Sequence, residues 1–138
     1  MFTAWLLVKL TAPKAKLKRS TSGDCEFDYL EETIYYTTER DPSDEGFLRH
    51  LEERHKFQNT RKYSLHLWSL LHEIGHYYNQ DVEPDAAKYI GMTLYEQEPS
   101  LKAQYLYYGS PDEWAATEWA CDWVEQHKVL AKIFSKIL

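Results

Sequence analysis

The stretch His72-Glu73-Ile74-Gly75-His76 constrains this chain more than any other. Residues four apart lie on one face of a helix, so both imidazoles can reach a single ion from the same side. Zinc suits two neutral imidazoles and leaves positions for a third ligand and a water. Glu73 sits one step round the helix, where its carboxylate can take a proton from that water. Leu67, Leu70, Leu71, Ile74, Tyr77 and Tyr78 recur at helical spacing and form one apolar face. The motif is therefore expected on a buried helix, capped by Ser64 and running to about Asn79. Two unpaired imidazoles buried there would be costly, which favours a metal site over a chance match.

Composition sets the frame for that helix. A chain of 138 residues is one domain's worth, and 43% apolar with 15% aromatic residues suffices for a core without staples. The formal net charge of −6 gives no electrostatic reason for the chain as a whole to bind nucleic acid or an anionic membrane. Cys25 and Cys121 stand alone, so neither a disulfide framework nor a thiolate metal site is expected, and both read as free thiols in a reducing cytoplasm. Met1 to Leu10 is apolar but short, carries Lys9, and lacks the basic start of a secretory signal. A cytoplasmic protein is the expectation.

Taken in order, residues 1–20 hold Lys9, Lys14, Lys16, Lys18 and Arg19 without an acidic residue, a basic strand or short helix leading into a solvated arm. Residues 25–38 alternate like two short strands with a turn near Leu30 to Glu32, giving a small antiparallel sheet packed on the metal helix. One edge of that sheet can hold an extended peptide by strand addition. Asp41-Pro42-Ser43-Asp44 reads as a turn that starts a helix over about 44–57. His50 and His55 lie five apart, off a common face, and read as surface or boundary residues. Pro84 opens the next helix, with Ala86, Ala87, Ile90, Met92 and Leu94 as its apolar side and Gly91 as a weak spot.

Leu101 to Tyr108 is rich in tyrosine, and one of Tyr105, Tyr107 and Tyr108, with Tyr105 put first, is the candidate donor to a developing oxyanion. Ser110-Pro111-Asp112-Glu113 opens a further helix, with Ser110 and Glu113 at capping-box spacing. Lys128, Lys132 and Lys136 line one side of an amphipathic end over 128–138. Such a tail can sit on a membrane or a partner, but packing on the domain is the favoured reading.

A catalytic zinc takes three protein ligands and keeps one position open. The 112–125 region offers Glu113, Glu118, Asp122 and Glu125. Glu113 is expected to be occupied by its own cap. Glu118 and Asp122 are four apart and share a face, so one can ligate while the other accepts the outer N–H of a ligating histidine. The expectation is Glu118 as ligand and Asp122 behind it, with Glu113 as the main rival and His127 a remote one.

His72-Glu73-Ile74-Gly75-His76 followed by Glu118-Trp119-Ala120-Cys121-Asp122 resembles the HExxH…ExxxD arrangement of gluzincin metallopeptidases. With the short chain and the strands before the metal helix, it resembles the ImmA/IrrE type of small cytoplasmic metallopeptidase, over roughly residues 25–126. The resemblance implies an α+β fold, a mostly helical zincin-like domain, and a zinc endopeptidase acting on a protein substrate such as a transcriptional regulator. The competing expectation is a non-catalytic metal-binding interaction protein of phage or mobile-element origin. Glu73 favours the enzyme, because a purely structural site has no use for a base there.

Overall fold

A computed structural model describes residues 1–39 and 44–138. Within them the fold is α+β and mostly helical, and its elements follow from local chemistry. Helix α1 spans Phe2–Thr11, strand β1 Lys16–Arg19, β2 Glu26–Asp28 and β3 Thr33–Tyr36. Helix α2 follows over Asp44–Glu53, then a short 3₁₀ turn at Thr60–Lys62, then α3 over Leu65–Tyr78. The chain ends with α4 Ala86–Gln97, α5 Leu101–Tyr108, α6 Pro111–Gln126 and α7 Lys128–Ile137. The expected turn over 41–43 lies outside the described residues, and α2 stops at Glu53, earlier than the expected end near 57.

The β2–β3 hairpin is antiparallel, pairing Phe27 with Ile34. Its turn is fixed by Asp28, whose Oδ1 accepts from the backbone N–H groups of Leu30 at 2.9 Å and Glu31 at 3.2 Å. Strand β1 adds on the other side of β3 and runs parallel to it, in the order β1-β3-β2. The sheet is thus mixed where a purely antiparallel one was expected. The connection between the parallel strands β1 and β3 runs through β2, which crosses to the far side of β3, and helix α1, ahead of β1, packs on α3 and α7.

Helix α3 is the centre of the core. Ser64 caps it, accepting from Leu67 N–H at 3.2 Å. Leu67, Trp68, Leu70, Leu71 and Ile74 are fully buried, so the periodicity read from the sequence is the packing face up to Ile74, while Tyr77 is half-buried and Tyr78, expected on the same face, is exposed. Strands β2 and β3 cover one side of α3, and α6 crosses the other. On α6 the contact face is built of Ala116, Thr117, Ala120 and Val124, all fully buried. These small residues let the two backbones approach closely. A Cβ on Gly75 would lie 2.3 Å from the Ala116 carbonyl oxygen.

Two expectations for α4 need correction here, its apolar side and its opening at Pro84. The apolar residues of α4, Ile90, Met92 and Leu94, are exposed. The helix docks on α5 through Gly91, where a Cβ would fall 2.7 Å from the Ala103 carbonyl. Its cap is Asp85, accepting from Lys88 N–H at 3.3 Å, and Pro84 lies outside the helix. The amphipathic end is a separate helix: the chain breaks at His127, and α7 buries Ala131 and Phe134 against the domain.

Because the α3–α6 approach leaves no room for a methyl group, Gly75→Ala should destabilise the fold by about 1–3 kcal/mol, the usual cost of overpacking a close contact. Urea unfolding measures it. A midpoint equal to that of the unsubstituted chain would show that the helices can separate at no cost.

Candidate metal centre

Three side chains converge where α3 crosses the start of α6: His72 and His76 from one helix, Glu113 from the other. Their candidate ligand atoms all lie within 4.8 Å of one another, and all three residues are buried. His72 Nε2 is 3.4 Å from Glu113 Oε1, and His76 Nε2 is 2.5 Å from Glu113 Oε2. The expectation that α3 would aim both imidazoles at one point is met.

The tautomers follow from the outer contacts. The Thr117 hydroxyl donates its only hydrogen to the Glu113 backbone carbonyl at 2.9 Å. Its oxygen also sits 3.1 Å from His72 Nδ1, so there it must accept, and His72 Nδ1 carries the proton. His72 Nε2 is then a bare lone pair facing a carboxylate. The Tyr29 hydroxyl holds His76 Nδ1 at 2.8 Å in the corresponding position. Lone pairs therefore point at one another across the gap with no proton between His72 and Glu113.

Glu113 completes the picture. Its Oε2 is sealed from water and has no hydrogen-bond donor in a bonding orientation, although His76 Nε2 is so near. Burial opposes its ionisation; His72 and His76 rings that carry protons on their inner nitrogens outweigh that and hold the carboxyl well below the usual carboxylate range, a part that a bound cation would take over when those nitrogens are bare. A buried carboxylate with an orphaned oxygen, facing the bare Nε2 of His72 and close to the Nε2 of His76, fits a cation.

Glu113 was expected to be consumed by a capping box. Ser110 is the N-cap residue, but its side chain bonds no N–H of the helix. Ser110 Oγ instead donates to Asp112 Oδ1 at 2.8 Å and accepts from Asp85 N–H at 3.1 Å. Asp112 is in turn tied to Lys88 Nζ at 2.5 Å, with the same ammonium 3.7 Å from Glu113 Oε2. Glu113 is thereby free to face α3.

Glu118, the expected ligand, is not at this centre. It lies a quarter-turn round α6 from the α3 contact face, its side chain 44% exposed, and its Oε1 accepts from His55 Nδ1 at 2.5 Å. Asp122, the expected outer partner, is exposed on the far side of α6; Thr117 and Tyr29 occupy that role. Helical spacing from Glu113 to Thr117 was available in the sequence. Nothing in the sequence pointed to Tyr29 or Lys88. His127 is remote, stacked on Trp123.

A cleft of about 440 Å³ opens beside the triad, lined by His72, Glu73 and Glu113 and walled by Glu26, Tyr95, Gln104, Tyr107 and Tyr108. Burial pushes the Glu73 carboxyl up to about 8, with His72 opposing and Glu113 and Glu26 adding to the rise. Tyr105 is not in the cleft: its hydroxyl donates to Glu53 Oε2 at 2.6 Å, on the α2 side. Tyr107 is, and burial, then the charge and hydrogen bond of Glu113, raise its hydroxyl far above the ordinary tyrosine range.

Of the two histidines expected at the surface or boundary, His50 is buried and His55 is half-buried. Because α2 ends at Glu53, His55 leaves the helix and folds back, and the two Nε2 atoms meet at 3.1 Å. Trp114 stacks on His55 with ring centroids 3.8 Å apart. Burial, with the nearby His55 and Arg54, drops the His50 imidazole to about 3.

No protein-family model matches the chain, and none of the curated proteins or solved structures does either. Among the described residues, no helix is long and apolar enough to cross a membrane.

Two expectations follow. Glu113→Ala should weaken binding of one divalent ion by 100-fold or more, while Glu118→Ala leaves it unchanged and Thr117→Val costs about 10–100-fold, the usual effect of removing an outer partner; equilibrium dialysis reads all three. Loss of the ion in Glu118→Ala alone would reverse the assignment. Separately, between about pH 6.5 and 3 the unfolded chain binds a proton at His50 that the folded chain refuses. Stability is therefore present above about pH 6.5 and lost as the pH falls, by up to about 1.4 kcal/mol per unit from this group. In urea titrations with chelator, His50→Gln should flatten that slope by up to one proton; an unchanged slope would contradict it.

Proposed function

We propose that the chain is a zinc-dependent peptidase that hydrolyses peptide bonds in a protein substrate. The observation that carries this reading is the placement of Glu73. A closed structural site would end at the triad, but here a further side chain, the carboxyl of Glu73, stands in the adjoining cleft outside the ligand group. A donor set of two imidazoles and one carboxylate suits zinc among the common divalent ions and leaves a position for a water. The HExxH turn and a glutamate from a later helix keep the likeness to the gluzincin and ImmA/IrrE type. Glu113 and Thr117 stand where Glu118 and Asp122 were expected.

Zinc held by His72, His76 and Glu113 would supply Lewis acidity toward a water and a substrate carbonyl. The rest falls to side chains of this chain. Glu73, in its buried position, takes a proton from the attacking water and returns it to the leaving amine. Its carboxyl is raised toward neutrality by burial, which makes it a stronger base than an exposed glutamate, and a nearby cation would draw that value back down. Tyr107 keeps its proton throughout the working pH range and lines the cleft, so it is the tyrosine suited to donate to a developing oxyanion. Thr117 and Tyr29 hold the imidazoles in the ligating orientation. Strand β2, at the sheet edge and packed on α3, brings Glu26 to the cleft wall, where an extended peptide can align with it. The substrate we favour is a protein such as a transcriptional regulator, in keeping with the family resemblance.

The test is new peptide ends. The zinc-loaded chain is incubated with a proteome-derived peptide library, and fresh N-termini are labelled and sequenced. Glu73→Gln should keep the fold and one bound ion and lose turnover by about 10²–10⁴-fold, the usual worth of a positioned general base. Tyr107→Phe should lose less, about 10²-fold. Equal cleavage by wild type and Glu73→Gln would remove Glu73 from this role. A loaded wild type that cleaves nothing, in the library or among candidate regulators, would favour the non-catalytic metal-binding reading.

A further inference from the structure

The charges of this chain are segregated along it. All 22 acidic residues lie between Asp24 and Glu125, and the segments 1–23 and 126–138 have none. Those two segments nevertheless carry half of the 16 Lys and Arg residues: Lys9, Lys14, Lys16, Lys18, Arg19, Lys128, Lys132 and Lys136. A net charge of −6 hides this completely, because the central segment is far more acidic than the total.

The fold brings the two segments together. Helices α1 and α7 pack on each other and on α3. Each uses only part of its circumference for that packing. In α1 the buried side is Ala4, Leu7 and Val8, and in α7 it is Ala131 and Phe134. What remains on α1 is apolar as well: Phe2 is 71% exposed and stacks on Trp5, which is 45% exposed. On α7 the exposed half divides in two. Val129, Ile133 and Ile137 form one stripe, at 72%, 48% and 46% exposure, and Lys128, Lys132 and Lys136 form the next stripe round the helix, the first of them 3.6 Å from the exposed Glu125 carboxylate.

A solvated face has no use for such a pair of stripes, and packing in the domain does not account for them. Exposed aromatic and aliphatic side chains flanked by lysines, on helices lying along a surface, suit the boundary between acyl chains and anionic headgroups. Duplex nucleic acid would match the lysines but not the apolar stripe, and an acidic central segment would repel it. We infer that the α1–α7 face docks this protein, peripherally, on an anionic lipid bilayer. The apolar stripe enters the headgroup boundary and the lysines meet the lipid charge. This face is built from α1 and α7, whereas the metal cleft is walled by β2, α4, α5 and α6, so the inference stands independently of the peptidase reading.

Flotation of the full chain with vesicles tests it. One set is phosphatidylcholine alone, the other phosphatidylcholine with phosphatidylglycerol. Wild type should float with the anionic set, at least about tenfold more strongly than with the neutral set, and less at high salt. Replacing Lys128, Lys132 and Lys136 together by Gln should cost on the order of 100-fold in partitioning, at the usual worth of a lysine near an anionic surface. Val129→Asp and Phe2→Ser change highly exposed positions, so circular dichroism should show an unchanged fold, while each lowers partitioning about tenfold or more. No flotation, or equal flotation with both vesicle sets, would overturn the proposal. So would light scattering that shows a dimer abolished by Val129→Asp, which would give the face to a second copy. Duplex DNA that binds through the same lysines more tightly than the vesicles do would overturn it as well.

Discussion

The structure depends on one contact, the approach of Glu113 to the two imidazoles of α3. Everything around it serves to make an ionised carboxylate tolerable in a buried place. Gly75 and Ala116 let the helix backbones close to where a methyl group would not fit. Ser110 and Lys88 hold Asp112, leaving Glu113 unclaimed by its own helix end. Thr117 and Tyr29 fix the outer nitrogens of the histidines. With the outer proton of His72 committed, its inner lone pair faces a carboxylate oxygen, an arrangement that a cation relieves and that neutral imidazole alone does not.

That same arrangement links fold to proposed chemistry. The helix that carries the ligands also carries Glu73, one residue on from His72, so the base is placed by the same turn that places the ion. The cleft beside them is walled by the β2 edge on one side and by the α4–α5 pair on the other. The α4–α5 pair is joined to itself at Gly91 and leaves the apolar side chains of α4 outside. A wall of this kind bounds the cleft without adding to the core.

The helix of the motif was legible because its signal is periodic and local. Leu67, Leu70, Leu71 and Ile74 give the buried face, and Ser64 gives the start. The hairpin was legible for a similar reason, through Phe27 alternating with its acidic neighbours and the turn near Leu30 to Glu32. The third ligand was not. Ser110 and Glu113 satisfy the spacing of a capping box, and only the tertiary contacts of Ser110 with Asp85 and Asp112 show that the box is not made. Glu118 and Asp122 satisfy the spacing of a ligand pair, but α6 presents a different face to α3. His50 and His55 are off-face on a continuous helix, and become partners only because α2 ends between them. Tyr105 and Tyr107 differ by two residues, which on a helix is the difference between facing α2 and facing the cleft. Each of these misses is a case in which a distant element decides between local options of equal standing.

The most direct measurement is anomalous diffraction from crystals of the zinc-loaded protein, collected on both sides of the zinc absorption edge. The account requires a single strong anomalous peak in contact with His72 Nε2, His76 Nε2 and the Glu113 carboxylate, with no fourth protein ligand. A peak at Glu118 or beside a cysteine, or a Glu113 side chain turned away from an ion held by the histidines, would contradict it.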